Sequence, residues 1–220
     1  MMIYLGYASA SFLESPPLLQ GALWHVPEWR REKALRYRDM RALRRSLAAA
    51  LLLEWIFLNC FQGEKREFSF QNGPDGRPLL TGRPRLFCSI SHGETYVCAA
   101  VGTVPVGVDI EQRNACSMEI AKEFFSPEEL EAEEKGMCDF TELWTLKESC
   151  LKLHGKGMAA ANKTAVLFFK DRITVFDEPD IRFYQFHTPE GAGALCWKSD
   201  GPSVEIREIG AAGLESLFLD

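Results

Sequence analysis

Two carboxylates, Asp109 and Glu111, stand two residues apart in the stretch VGVDIEQ, residues 106–112. In an extended chain side chains alternate, so both acids share a side with Gly107 while Val106, Val108 and Ile110 face the other way. Like charges so placed repel unless a cation, a hydrogen-bond donor or bulk water offsets them. Further on, FTELWTLKESCLKLHG carries a third acid, Glu148, between Lys147 and Lys152. Three carboxylates suit Mg²⁺, which takes hard oxygen ligands and commonly completes its shell with phosphate oxygens. On that reading the lysines meet phosphate, and Gly107, lacking a side chain, leaves room for a metal and a diphosphate. The plainer reading is a solvated strand edge and a surface Glu148/Lys152 pair worth ~0.3–0.5 kcal/mol. Residue spacing alone leaves both open.

A basic group lies upstream at Arg30, Arg31, Lys33, Arg41, Arg44 and Arg45, with Arg77 in a turn-rich loop and SISHG, containing Ser91 and His92, beyond it. Charge-assisted hydrogen bonds from such groups could hold a polyphosphate; a solvated helix face and an ordinary turn histidine are the alternatives. There is no His/Cys cluster with zinc spacing, and neither GxxxxGK[ST] nor GxGxxG occurs.

The elements that must position these groups follow from local signals. A strand is expected near residues 3–7, and Pro27 opens a helix through EWRREKALRYR. Asp39 caps a second helix, whose Met40, Leu43, Leu47, Leu51 and Ile56 recur at helical spacing until Gln62-Gly63. EFSFQ reads as a strand and NGPDGRPLLTGRP as loop. RLFCSIS and TYVCAAVG form a hairpin around His92-Gly93, and VGVDIEQ is the next strand. Ser126-Pro127-Glu128-Glu129 has the form of a capping box. The Glu148 helix stops at Gly155 and Gly157, and a β meander closes the chain.

At 220 residues, 46% of them hydrophobic and 25% charged, the chain is globular and long enough for one large or two small domains. A net charge of −6 argues against a chain built for nucleic acid. The first residues lack a signal-peptide pattern and no uncharged run reaches membrane-spanning length, so a cytoplasmic protein is expected. Seven cysteines without a CxxC pair read as buried thiols.

Taken together, GVDIE, FFSPEEL and LWTLKESCLKLHGKG, with SISHG and GRP upstream, resemble the ordered motifs of the Sfp-type 4′-phosphopantetheinyl transferases from about Arg30 to Gly157. The resemblance implies an enzyme that moves the 4′-phosphopantetheine arm of coenzyme A to a serine of an apo acyl or peptidyl carrier protein, releasing adenosine 3′,5′-bisphosphate. It implies Mg²⁺ on Asp109, Glu111 and Glu148, Lys152 at the phosphates, and Ser91 and His92 at the coenzyme's phosphates. Arg30, Lys33 and Arg45 match basic positions near the 3′-phosphate, and Arg77 stands where the family often has lysine. Glu148 is the first candidate for the serine's base and Glu111 the second; Lys147 supports the helix or the carrier contact. Here MAAANKT replaces the family's leucine/proline-rich continuation after the GKG segment, and SHG replaces the frequent SHS.

The implied fold is α+β, two similar α/β subdomains related by pseudo-two-fold symmetry. Residues 1–103 hold coenzyme A phosphates, residues 104–220 supply the acids and the KExxxK helix, and the active site lies in the cleft between them. A monomer is expected. The rivals are a Mg²⁺-dependent nucleotide phosphohydrolase and a non-catalytic coenzyme A or carrier-binding regulator.

Overall fold

A computed structural model describes residues 1–62, 69–73, 78–80, 86–113, 118–155, 165–168, 173–199 and 201–219. Strand β1 (Met2–Ser9) pairs antiparallel with β5 (Tyr96–Gly102), which in turn pairs with β4 (Phe87–His92). Period-two alternation divides this sheet. Val97, Ala99 and Val101 pack with the long helix α3 (Met40–Cys60), whereas Cys98 and Ala100, with Ile3 and Leu5, face the other way. That second face rests on Val106, Val108 and Ile110 of β6 (Val106–Gln112) and Leu195 of β10 (Gly191–Lys198). Strand β6 is an edge of a three-stranded antiparallel sheet whose other members are β10 and β9 (Ile181–Thr188). Helix α6 (Phe140–His154) covers its far side. The layers therefore run α3, first sheet, second sheet, α6, and each buried leucine or valine in them contributes about 1.5–3 kcal/mol.

The helices begin where their caps are. Asp39 Oδ1 accepts the Arg41 N–H at 2.9 Å, opening α3. Capping boxes built on Ser126/Glu129 and Asp139/Glu142 start α5 (Pro127–Glu134) and α6. Gly155, at φ 67°, ends α6 in the left-handed region. Of the α3 positions expected to be apolar and inward, Leu43, Leu47, Leu51 and Ile56 are buried, but Met40 is exposed. Residues 46–54 are buried all round because α1 (Pro16–His25), α2 (Glu28–Leu35) and α7 (Ala211–Glu215) wrap the side of α3 away from the sheet. Helix α1 is unforeseen: Ser15 takes the N-cap position and Pro16-Pro17 fill the first turn, where no N–H is needed. A 3-10 turn (Ala10–Glu14), short hairpins β2/β3 (Phe70–Asn72, Pro78–Leu80) and β7/β8 (Val166–Phe168, Ile173–Val175), and helix α4 (Met118–Phe124) are further described elements.

The closing meander is only partly local. β9 and β10 pair as neighbours, but β11 (Ser203–Glu208) leaves them to run parallel to β1, register Ile3 to Val204. Leu214 and Leu217 then join the core around α3. Residues 203–219 thus pack with the first-half elements, because β1 offers an open edge and Val204 and Ile206 find apolar cover there. Of the cysteines, 88, 98, 138, 150 and 196 are buried free thiols and Cys60 is half-buried; Cys116 lies outside the described residues. No helix among the described residues is long and apolar enough to cross a membrane.

Candidate active site

The two sheets are stitched at one point by serines on β4. Ser89 Oγ accepts the Val108 N–H at 3.1 Å, and two residues on, Ser91 Oγ donates to Asp109 Oδ1 at 2.6 Å. From α6, Lys152 Nζ donates to both Asp109 Oδ1 and Ser91 Oγ, each at 2.6 Å. Asp109 is 2% exposed, and its Oδ2 is buried with no hydrogen-bond partner among the described residues. Lys152 therefore does not lie along the helix against Glu148 in the expected i,i+4 pair. It reaches across to the strand, where a buried carboxylate in a low dielectric attracts it more strongly than a half-exposed neighbour.

Helix α6 can come this close because of Gly107. A Cβ built there would collide with the Ser149 carbonyl oxygen and lie 2.5 Å from the Leu153 nitrogen. This corrects the expectation that Gly107 leaves room for a metal and a diphosphate: the space is filled by helix backbone. The glycine acts one step earlier, letting α6 settle on β6 so that Glu148 and Lys152 arrive beside Asp109.

A cavity of about 380 Å³ opens over this junction. Asp109, Glu111 and Glu148 line it together with Arg30, Lys33 and His92, with Ser91 and Lys152 also on its wall. Burial and then the charge of Asp109 push the Glu111 carboxyl up to about 7, and the same two causes raise that of Glu148. Burial works against the Lys152 ammonium, but Asp109 outweighs it and holds the lysine above its usual range. Among the bases burial lowers Lys33, with help from the Arg30 charge, and lowers His92, with help from Arg45, Lys152 and Arg30. Among the described residues the shifts run as for too little counter-charge: Lys152 offsets the acids only in part, leaving Glu111 and Glu148 raised, and the cations near Lys33 and His92 add to the lowering by burial.

Arg30 is 4% exposed and clamped, its Nε and Nη2 donating to the Ser46 carbonyl at 3.2 and 2.7 Å, with Trp29 and Phe70 against its guanidinium. Ser46 itself lines the cavity, 2% exposed, with an unpartnered Oγ. It was not anticipated, since a serine within an apolar helix carries no sequence signal. Arg45 is not in this cavity. One residue back on α3, and so about 100° round the helix, it lines a neighbouring basin with Arg41 and Arg44 and donates to the Glu94 carbonyl at 3.2 Å. Arg77 lies outside the described residues.

Lys147 turns away from the site. It is 1% exposed and pairs at 2.8 Å with Glu129, which is fully buried. The same carboxylate accepts the Ser126 N–H at 2.7 Å and the Val166 N–H at 2.8 Å. Lys147 thereby ties α6 to α5 and β7, which favours helix support over carrier contact.

Whether Mg²⁺ suits these residues can be tested on the donors themselves. Among the described residues the acids form no ready-made three-ligand cluster, and Lys152 occupies Asp109 Oδ1. The donor set nevertheless fits a hard divalent cation: the orphaned Asp109 Oδ2 and two carboxyls raised by burial beside it would all be relieved by one.

Residues 105–203 match the model of the 4′-phosphopantetheinyl transferase superfamily. The chain is 33% identical over 135 residues to 4′-phosphopantetheinyl transferase Sfp of Bacillus subtilis, a match covering 59% of this chain and 60% of that protein. It is 26% identical over 211 residues to 4′-phosphopantetheinyl transferase gsp of Aneurinibacillus migulanus, covering 89% and 86% respectively. With 4′-phosphopantetheinyl transferase HetI of Nostoc sp. it shares 30% over 161 residues, 68% of this chain and 62% of the relative. The family match spans the strand that carries the acids and the helix that carries Glu148 and Lys152, so over these elements the chain is similar to the 4′-phosphopantetheinyl transferase superfamily, and Sfp-like proteins are among the relatives it resembles.

Proposed function

We propose that the protein transfers the 4′-phosphopantetheine arm of coenzyme A to a serine of an apo acyl or peptidyl carrier protein, releasing adenosine 3′,5′-bisphosphate. The observation that carries this reading is one cavity lined both by the three acids and by Arg30, Lys33, His92 and Lys152, in a chain whose relatives bear the transferase name. Arg30, Lys33, His92 and the Ser46 hydroxyl suit the 3′-phosphate end of the coenzyme, where a phosphate would supply the missing anion. Asp109, Glu111 and Glu148 would hold Mg²⁺, which supplies charge neutralisation on a diphosphate.

In the transfer the serine oxygen forms a bond to the phosphorus bearing the pantetheine, and the bond from that phosphorus to the bridging oxygen breaks. The serine proton passes to a carboxylate. Glu148 is the first candidate and Glu111 the second; their raised carboxyls bring them nearer the neutral range in which a general base works well. Lys152 stays cationic and, released from Asp109, donates to the departing phosphate oxygen. The organisation that goes with this reading is two similar subdomains, 1–103 and 104–220, facing each other across the cavity, in a monomer.

The test is intact-mass measurement of apo carriers incubated with coenzyme A and Mg²⁺. Gain of one phosphopantetheine group on the serine is expected. Coenzyme A cleavage by water without any carrier would instead establish a phosphohydrolase, and metal-independent binding without turnover a regulator.

A further inference from the structure

The stretch LRYRDMR, residues 35–41, joins α2 to α3 and is exposed at every position. Three large apolar side chains point outward within six residues: Leu35 is 59% exposed, Tyr37 37% and Met40 47%. Around them stand Arg36, Arg38 and Arg41, the last ion-paired with Glu94 at 2.9 Å, with Asp39 as the one acid of the segment, so the segment carries net positive charge in a chain of net charge −6. Tyr37 also lines the cavity that holds Glu148 and Lys152, which makes the segment part of its lip. We propose that this lip is the docking surface for the carrier protein, and that the carrier face it fits is acidic, with an apolar side chain near the serine to be modified. The inference rests on the transfer reading above.

The argument is one of access and complementarity. A serine presented on a folded protein must reach the carboxylates inside a cavity of about 380 Å³, and the body that carries it is too broad to follow. It must therefore rest on the rim, and the segment on the rim has the composition of an interface, with exposed aromatic, aliphatic and methionine side chains interleaved with arginines. Its charge selects the partner. On a protein of net charge −6 a basic lip, continued by Arg44 and Arg45 in the neighbouring basin, draws an acidic face to this side. A second copy of this chain fits less well, because like basic lips would have to meet at a two-fold axis.

The test uses Leu35→Glu/Met40→Glu and Arg38→Glu, exposed positions outside the cavity wall, with circular dichroism to verify folding. Affinity for an apo carrier whose target serine is replaced by alanine is read by fluorescence anisotropy, and transfer to the normal carrier by intact mass. Each variant is expected to weaken carrier binding and raise the carrier KM about tenfold or more, with kcat and coenzyme A affinity unchanged. Arg38→Glu should regain affinity for a carrier whose acidic residues beside the serine are replaced by lysine. Unchanged carrier affinity in both variants, with transfer intact, would overturn the docking surface and leave the transfer reading standing. Weakened coenzyme A binding would overturn it too, by assigning the lip to the coenzyme, and so would a change in sedimentation showing that the lip joins two copies. Failure of the wild type to bind or modify any carrier would remove the transfer reading and the docking surface together.

Discussion

Replacing Lys147 with methionine should destabilise the protein far more than a typical single substitution, for a reason visible in the structure. The ammonium and the Glu129 carboxylate lie 2.8 Å apart, one side chain 1% exposed and the other 0%. At an effective dielectric near 20, charges at that separation attract by about 6 kcal/mol. Part of that attraction is already spent, since burial holds the Lys147 ammonium below its usual range despite Glu129. Methionine removes the lysine's desolvation cost as well as the attraction, but strands a carboxylate that keeps only the Ser126 and Val166 N–H donors. Breaking such a pair from one side costs about 3–5 kcal/mol, a large share of the ~5–15 kcal/mol that holds a protein folded. In urea, with a slope of about 2–3 kcal/mol/M, the midpoint should fall by about 1–2 M. Lys147→Met/Glu129→Gln should recover most of the loss, because glutamine is neutral yet can still serve as the N3 partner of a capping box. A single variant within about 1 kcal/mol of wild type, or a double variant no better than the single, would refute the reasoning.

Three further outcomes are expected. Because Glu111 has a folded-state value near 7 against 4.5 when unfolded, the folded state holds more protons between those values. Its ionisation should therefore remove up to about 3 kcal/mol of stability as pH rises from about 4.5 to 7. Metal-free thermal melts should show that decline and Mg²⁺ should reduce it; a flat profile would count against the strained acids. Gly107→Ala should unfold the protein or lower its stability by several kcal/mol, read by urea titration, since the new Cβ meets α6 backbone rather than a flexible side chain. Ser46→Ala should leave stability unchanged or raise it by ~1 kcal/mol, as it deletes a buried unpartnered hydroxyl. It should also weaken coenzyme A several-fold more than 3′-dephospho-coenzyme A in calorimetric titration; equal loss for both would take Ser46 away from the 3′-phosphate.

Much of the local structure was legible because its causes are local. The period-two run of residues 106–112 gives strand β6, and caps at Asp39 and Ser126 start helices where side chain and backbone N–H are a few residues apart; the equivalent box at Asp139 was not anticipated. The acids, bases and Ser-His pair could be named as chemistry from residue type and order. What those side chains touch depends on contacts distant in sequence. Lys152 pairs with Asp109, 43 residues away, rather than with Glu148 four residues away, because only the packed α6/β6 interface supplies a buried, undercompensated carboxylate. Gly107 serves helix packing rather than ligand space, since what opposes a strand face is decided by the layer laid on it. Ser46 enters the cavity and Arg45 leaves it through one helical step, and periodicity fixes their relative angle but not which direction faces the ligand. β11 crosses to β1 because an open edge is a property of the assembled sheet. The sequence by itself determined which groups were present and which elements carried them; tertiary packing decided which faces met, and hence which charges were left needing a partner.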